Sequence, residues 1–452
     1  MSFPTTPPIG EFKRSWSMPA THRATLDNGL SVLVMPSSRL PIVQLRLVSR
    51  VGRWLEQPEH AGLGRLIAMT TRHGTERFSS AQLAEFQDAR GLRLSSSMSP
   101  DDRSLAVKAL SEHIDEAFDV LGELVMRPTF PEEHLAREAQ KSVQARRQQR
   151  ASPDSLAGEW FSWAVYGRSH PYGRRRPEAE DFLARTRQEL LEWHAARFAP
   201  EHALLVVVGD VDPQQTVERA ARTFGGWASG ATLPQAPGEP SDHGARVILV
   251  DRPNSEQATI LIGNKALSRR APDYDDARVM NRVLGGGASS RLFMDLRETR
   301  SLTYGVYSAL DGGRFGGDHS ASLSCATDKA GEALSGLFEH LGRIREEPVE
   351  YEELDAARRY LCGAFPIGAS SLGGMASLMT SRWLNELPED VWERFIPRIA
   401  SVSVDAVQAV ARRVIRPEQG VLVVVGEGDA LEPLCAQYGE LLRVDSEQRP
   451  PD

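Results

Sequence analysis

A six-residue run ending in glycine occurs twice in this chain. Leu204-Leu-Val-Val-Val-Gly209 returns as Val421-Leu-Val-Val-Val-Gly426, 217 residues further on. A β-branched apolar run of this length reads as a buried strand. The surroundings repeat as well. An amphipathic stretch precedes each copy (residues 187–198 and 404–414), and a short turn and a second helical stretch follow (212–224 and 430–441). A duplicated unit of about 220 residues, mixing strands with long helices, accounts for the spacing. The first copy opens on Asp27-Asn28-Gly29, a tight-turn signal, followed by strand-like alternation to Val34. The second opens on Val247-Ile-Leu-Val250 and continues with Ala258-Thr-Ile-Leu-Ile262. The pattern predicts an α+β fold of two homologous domains, each a mixed, mostly antiparallel sheet with helices packed on one face. Three prolines and three glycines fall within residues 228–244, which reads as a linker. The expected divisions are an extension over 1–20, a first domain over 21–227, that linker, and a second domain over 245–445.

Composition narrows the function classes. A hydrophobic content of 41% and a charged content of 25% are ordinary for a soluble globular protein, and a net charge of −8 argues against a nucleic-acid binder. Cys325, Cys362 and Cys435 are odd in number and far apart, which suits buried thiols in a reducing compartment better than a disulfide framework. The first residues, Met-Ser-Phe-Pro-Thr-Thr-Pro-Pro, lack the charged and apolar regions of a signal peptide, and no apolar run approaches membrane-spanning length. The expected compartment is the cytoplasm, or the periplasm if a signal peptide has been removed.

Residues 62–75 read Gly-Leu-Gly-Arg-Leu-Ile-Ala-Met-Thr-Thr-Arg-His-Gly-Thr. This segment resembles the zinc helix of pitrilysin/insulinase-type metallopeptidases, the inverzincins. That helix carries His-x-x-Glu-His between a Gly-Leu-Ala lead-in and a Lys-Gly-Thr exit. Here the flanks survive and the chemistry does not. Arg65 stands at the first His, Ala68 at the Glu and Met69 at the second His. Two imidazoles on adjacent turns would hold one Zn²⁺, and the Glu would take a proton from its bound water. A guanidinium has no lone pair to donate and repels a cation, Ala cannot act as a base, and a thioether is a poor zinc ligand. Glu138, in Leu135-Ala-Arg-Glu-Ala-Gln-Lys141, is the best candidate for the third-ligand position. Without His partners it is expected to be a solvated helix residue or an ion-pair partner for Arg65.

Further segments follow the family's order from about Arg23 to Glu440: Met126-Arg-Pro-Thr-Phe-Pro131, His170-Pro-Tyr-Gly173, Val208-Gly-Asp-Val-Asp-Pro213 and Leu284-Gly-Gly-Gly-Ala-Ser-Ser-Arg-Leu-Phe293. The last is Leu296-Arg-Glu-Thr-Arg-Ser-Leu-Thr-Tyr-Gly-Val-Tyr307. In the family an Arg and a Tyr seven residues later contribute to substrate binding near the zinc. The match falls on Arg297 and Tyr304. A guanidinium and a phenol can both donate to peptide carbonyls, and a phenol can stabilise developing oxyanion charge. Arg300 and Tyr307 repeat the spacing three residues on, so composition alone does not choose between the pairs.

The resemblance implies a zinc-less, non-catalytic subunit of a heterodimeric zinc metallopeptidase. It would bind no metal itself, supply Arg297 and Tyr304, and pair with a homologous subunit that carries the zinc and acts on peptides. The alternative is a catalytically inactive homologue acting as a binding or scaffold protein. His170 and His194 read as structural, and Gly285-Gly286-Gly287 lacks the residues of a phosphate loop and reads as a turn.

Overall fold

The computed structural model describes residues 16–238, 240 and 246–451. The first half contributes β1 (His22–Thr25), β2 (Ser31–Pro36), β3 (Ile42–Ser49), β4 (Arg93–Met98), β5 (Arg103–Leu110) and β6 (Ala203–Gly209), in spatial order β1-β2-β6-β3-β5-β4. The second contributes β7 (Arg246–Asp251), β8 (Gln257–Ala266), β9 (Thr303–Gly313), β10 (Gly316–Ala326), β11 (Val421–Gly426) and β12 (Leu441–Asp445), in order β12-β7-β11-β8-β10-β9. The repeated run is β6 in one sheet and β11 in the other. Each lies between a parallel neighbour (β2, β7) and an antiparallel one (β3, β8). Gly209 closes β6 because its φ is +141° and a Cβ would lie 2.1 Å from the carbonyl oxygen of Ile42.

The two sheets differ at one outer position. β1 precedes β2 and pairs with it antiparallel, whereas β12 comes from the chain's end and runs parallel to β7. Here the sequence reading is corrected. The helix expected over 430–441 ends at Cys435, and after the turn Ala436–Tyr438 the chain extends as β12. Gly439, at φ +147°, makes the change of direction. The expected linker is described as far as residue 238 and at Pro240; its remaining positions, and residues 1–15 of the expected extension, lie outside the described residues.

Each half's own helices pack on one face of its sheet. In the first half, Val32, Val34, Leu45, Leu47, Leu205 and Val207 meet Leu66, Phe118, Leu121 and Trp193. The opposite faces are covered by exchange. The helix Pro153–Tyr166 crosses from the first half and lays Leu156, Trp160, Phe161 and Val165 on Ile248, Val250, Val421, Val423 and Val425. The helix Leu372–Leu384 crosses from the second half and lays Met375, Ala376 and Met379 on Leu33, Met35, Val48, Leu204, Val206 and Val208. Both β6 and β11 are therefore buried along their whole length, which is why they read as continuous apolar runs. Burying one such Val or Leu side chain is worth about 1.5–3 kcal/mol, so the exchanged helices are principal contributors to stability. Among the described residues no single helix is long and apolar enough to cross a membrane.

Candidate functional site

The degenerate motif occupies the helix Leu63–Thr70, whose Leu63, Leu66, Ile67 and Ala68 are buried. Arg65 and Met69, one turn apart, share its partly exposed face. Gly62 precedes the helix and has no side chain with which to cap it. The carboxylate of Glu56 does so instead, accepting from the Gly64 N–H at 2.5 Å. Burial pushes the Glu56 carboxyl up to about 7, against the opposing pull of that N–H and of Arg53 and Arg174. A Cβ on Gly64 would sit 2.5 Å from Met98 Sδ and 2.7 Å from Glu56 Oε1. The lead-in glycine is thus required by packing, whatever chemistry the helix carries.

The facing helix is Glu132–Ala151. Its Ser142 accepts a hydrogen bond from Arg65 Nε at 3.0 Å. The expected alternatives for Glu138 are both corrected. It is neither solvated nor paired with Arg65: it is 5% exposed, accepts from Lys141 Nζ at 2.7 Å, and lies 3.6 Å from His73 Nε2. Glu138 sits one helical turn before Ser142 and faces the far end of the motif helix. There His73 stacks on His134, with ring centroids 4.4 Å apart, and burial lowers its basicity. A guanidinium and a thioether stand where the family presents its two histidine ligands, and a methyl group where it presents its base. That set does not suit zinc. Among the described residues no group of three His, Cys, Asp or Glu side chains is placed to hold a metal ion.

One turn beyond Ser142, Arg146 is buried and held by Glu159 at 2.8 Å and Glu178 at 2.6 Å. Nothing in the local sequence announced this network or the Glu56 cap. The partners lie 13 and 32 residues from Arg146, and Glu56 acts across eight.

In the second half, Arg297 lies in Phe293–Thr299, a π-helical segment. Its side chain is 43% exposed, lies 3.5 Å from Glu298 and stacks over the Phe293 ring at 4.6 Å. Tyr304, on the edge strand β9, is 93% exposed. The competing pair is bound elsewhere. Arg300 is held by Asp295 at 2.8 Å and Glu339 at 2.9 Å, and Tyr307 packs on Phe293 with ring centroids 5.7 Å apart. Geometry thus distinguishes two pairs that spacing left equivalent. The π-helical winding, a form that recurs at functional sites, gives Arg297 a second distinction.

The other candidates are structural. His194 Nδ1 accepts from Arg103 Nη1 at 2.7 Å while its Nε2–H donates to the Val125 carbonyl at 2.9 Å, so the ring is neutral. Burial holds it well below its usual pKa. His170 meets the Phe315 carbonyl and the Tyr172 N–H. All three cysteines are buried and unpaired, with thiols pushed up to about 11 (Cys325 and Cys362) and about 12 (Cys435). None is poised as a nucleophile. Gly285–Gly287 forms a turn clasped by Arg282, which donates to the Gly286 carbonyl.

Residues 32–166 match the family profile described as "Insulinase (Peptidase family M16)", and residues 185–361 match "Peptidase M16 inactive domain". Together they take in more than half of the chain. The chain belongs to the M16 peptidase family. It is 25% identical over 410 residues to an "uncharacterized zinc protease" of Mycobacterium leprae, covering 89% of this chain and 91% of the relative. It is 24% identical over 416 residues to the "uncharacterized zinc protease YmxG" of Bacillus subtilis, covering 90% and 98%. Two solved structures share the fold. A peptidase M16 inactive domain from Pseudomonas fluorescens superposes with a TM-score of 0.85 at 23% identity, covering 90% of this chain and 98% of that one. A protease from Helicobacter pylori gives 0.83 at 19%, covering 90% and 100%. This M16 homologue has lost the family's three motif residues while keeping its fold.

Proposed function

We propose that this M16 chain is the zinc-less subunit of a heterodimeric metallopeptidase. A homologous partner supplies the zinc helix, and this chain supplies Arg297 and Tyr304 to bind the peptide. The observation that carries the reading is the contrast between the two halves. The motif helix has no metal donors, whereas Arg297 and Tyr304 stand exposed beside an open strand edge, without strong partners of their own. A guanidinium and a phenol there can donate to the carbonyls of a peptide held on the partner's zinc. Zinc, in this reading, belongs to the partner.

The test is hydrolysis of a mixed fluorogenic peptide library by this chain alone, by a His-x-x-Glu-His homologue from the same genome alone, and by the two co-expressed. Activity confined to the co-expressed pair supports the reading. Activity of the homologue alone, unchanged by this chain, would instead favour a binding or scaffold role.

A further inference from the structure

A cavity of 680 Å³ opens between the two halves. The first half lines it with Arg53, Glu56, Arg174 and Arg176, and the β9–β10 hairpin adds Asp311 and Asp318. Its volume falls in the range of small-ligand pockets. Most of its charges are already answered. Arg174 donates to the carbonyls of Trp54 and Glu56. Asp318 accepts from the Tyr166 hydroxyl at 2.6 Å, and Asp101 from the Tyr172 hydroxyl at 2.5 Å. Glu159 forms a two-pronged bond to Arg146 at 2.8 and 2.9 Å. Asp311 is solvent-exposed.

Two guanidiniums remain. Neither Arg53 nor Arg176 has a side-chain hydrogen bond or an ion pair within 4.0 Å among the described residues, and Arg53 Nε is buried without a partner. Burial lowers the basicity of Arg176, and Arg53 is among the charges that lower it further. The carboxylate that acts on Arg176 in the opposite sense is Glu159, and both of its oxygens are taken by Arg146. The counter-charge to Arg53 is Glu56, whose carboxyl is committed to the Gly64 N–H and is pushed up to about 7, so it is only partly ionised at neutral pH. Two partly buried, mutually repelling cations, neither with a carboxylate within 4.0 Å among the described residues, are costly unless a ligand answers them. Guanidinium forks match the two oxygens of a carboxylate. Pro58, Pro171 and Pro177 form apolar wall on the same cavity, suited to the body of a peptide rather than to a bare ion.

We propose that this cavity is a binding site for a peptide carboxylate, a chain terminus or an acidic side chain, held by Arg53 and Arg176. The inference concerns this chain alone and does not depend on a peptidase partner.

The experiment is isothermal titration calorimetry of the full chain with four probes: acetyl-trialanine with a free C-terminus, acetyl-Ala-Asp-Ala-amide, acetyl-trialanine-amide and inorganic phosphate. The first or second should bind, and the fully amidated peptide should not. Which of the two acids binds identifies the source of the carboxylate. Arg53→Gln and Arg176→Gln should each weaken binding at least tenfold. Arg53→Lys, which keeps the charge and loses the fork, should weaken it less than Arg53→Gln. Thermal melting of each variant serves as the folding control, and a variant that does not fold is replaced by the other. Equal binding of acid and amide, binding of phosphate only, no binding at all, or affinities untouched by both substitutions would overturn the proposal.

Discussion

Arg65 Nε lies 3.0 Å from Ser142 Oγ, and this one hydrogen bond links the degenerate helix to the helix it faces. The link joins the two segments that, by resemblance, hold the metal in active members of the family. Ser142→Ala should therefore lower stability by about 1.5–3 kcal/mol, the range for a hydrogen bond to a charged group. Urea denaturation checks this. An unchanged midpoint would mean that the bond holds nothing in place.

Gly64→Ala should be more damaging than its one methyl suggests. The added Cβ meets Met98 Sδ and the Glu56 carboxylate together, so it disturbs packing and the helix cap at once. A loss of about 2–3 kcal/mol is expected, visible as a lowered Tm. Gly91→Ala is the comparison. There a Cβ meets no atom within 4 Å, and only the left-handed φ of +63° opposes it.

Glu56 and His319 should impose opposite pH dependences. The Glu56 carboxyl is raised in the fold to about 7 from an ordinary 4.5, with burial as its chief cause. The unfolded chain therefore releases this proton first, and stability falls as pH rises from about 4.5 to about 7, by roughly 3 kcal/mol in all. Glu56→Gln should remove that decline and stabilise the protein more at pH 8 than at pH 5. His319 is lowered by burial to about 3 from 6.5, so its contribution is full above about 6.5 and is lost as pH falls toward 3. His319→Asn should flatten that acid limb. Melting curves across pH 4–8 separate the two slopes.

In a reconstituted pair, Arg297→Ala should reduce kcat/KM by about tenfold or more, the loss of one charge-assisted hydrogen bond, without preventing assembly. Arg300→Ala should act differently. It breaks the bridges to Asp295 and Glu339, so its effect belongs in Tm and not in turnover. If the two variants behave alike, the assignment of Arg297 as the substrate-facing arginine is wrong.

Phe161→Ala, on the helix that crosses to the second sheet, should cost about 3 kcal/mol or more, as for any buried phenylalanine removed from a tight core. Denaturation should remain a single transition, because the residue belongs to a core shared by both halves.

The duplicated plan was legible because its signal is periodic and local. A buried central strand needs an unbroken apolar run, and β6 and β11 both declare themselves in this way. The degenerate helix was equally legible, since Arg65, Ala68 and Met69 differ in kind from the residues that hold and activate a metal. What sequence did not show depends on three-dimensional neighbours. Glu138 reads as a solvated residue or a partner for Arg65, but the turn of its helix aims it at His73 and Lys141 and leaves Ser142 opposite Arg65. Arg297 and Arg300 are equivalent by spacing and become distinct only when Asp295 and Glu339 are seen to hold Arg300. β12 was hidden because five residues with a mixed burial pattern carry little alternation. The exchange of helices was out of reach, since nothing in residues 153–166 or 372–384 names the sheet each one covers.

That exchange also restricts motion. Each half clasps the other through a helix seated in the other's core, like two interlocked hooks, so a hinge between them would have to expose both cores at once. The chain should behave as one rigid jaw. If the proposed pair opens a chamber to admit a peptide, the swing should lie at the boundary between its two subunits, and a crosslink placed within this chain should leave that swing free.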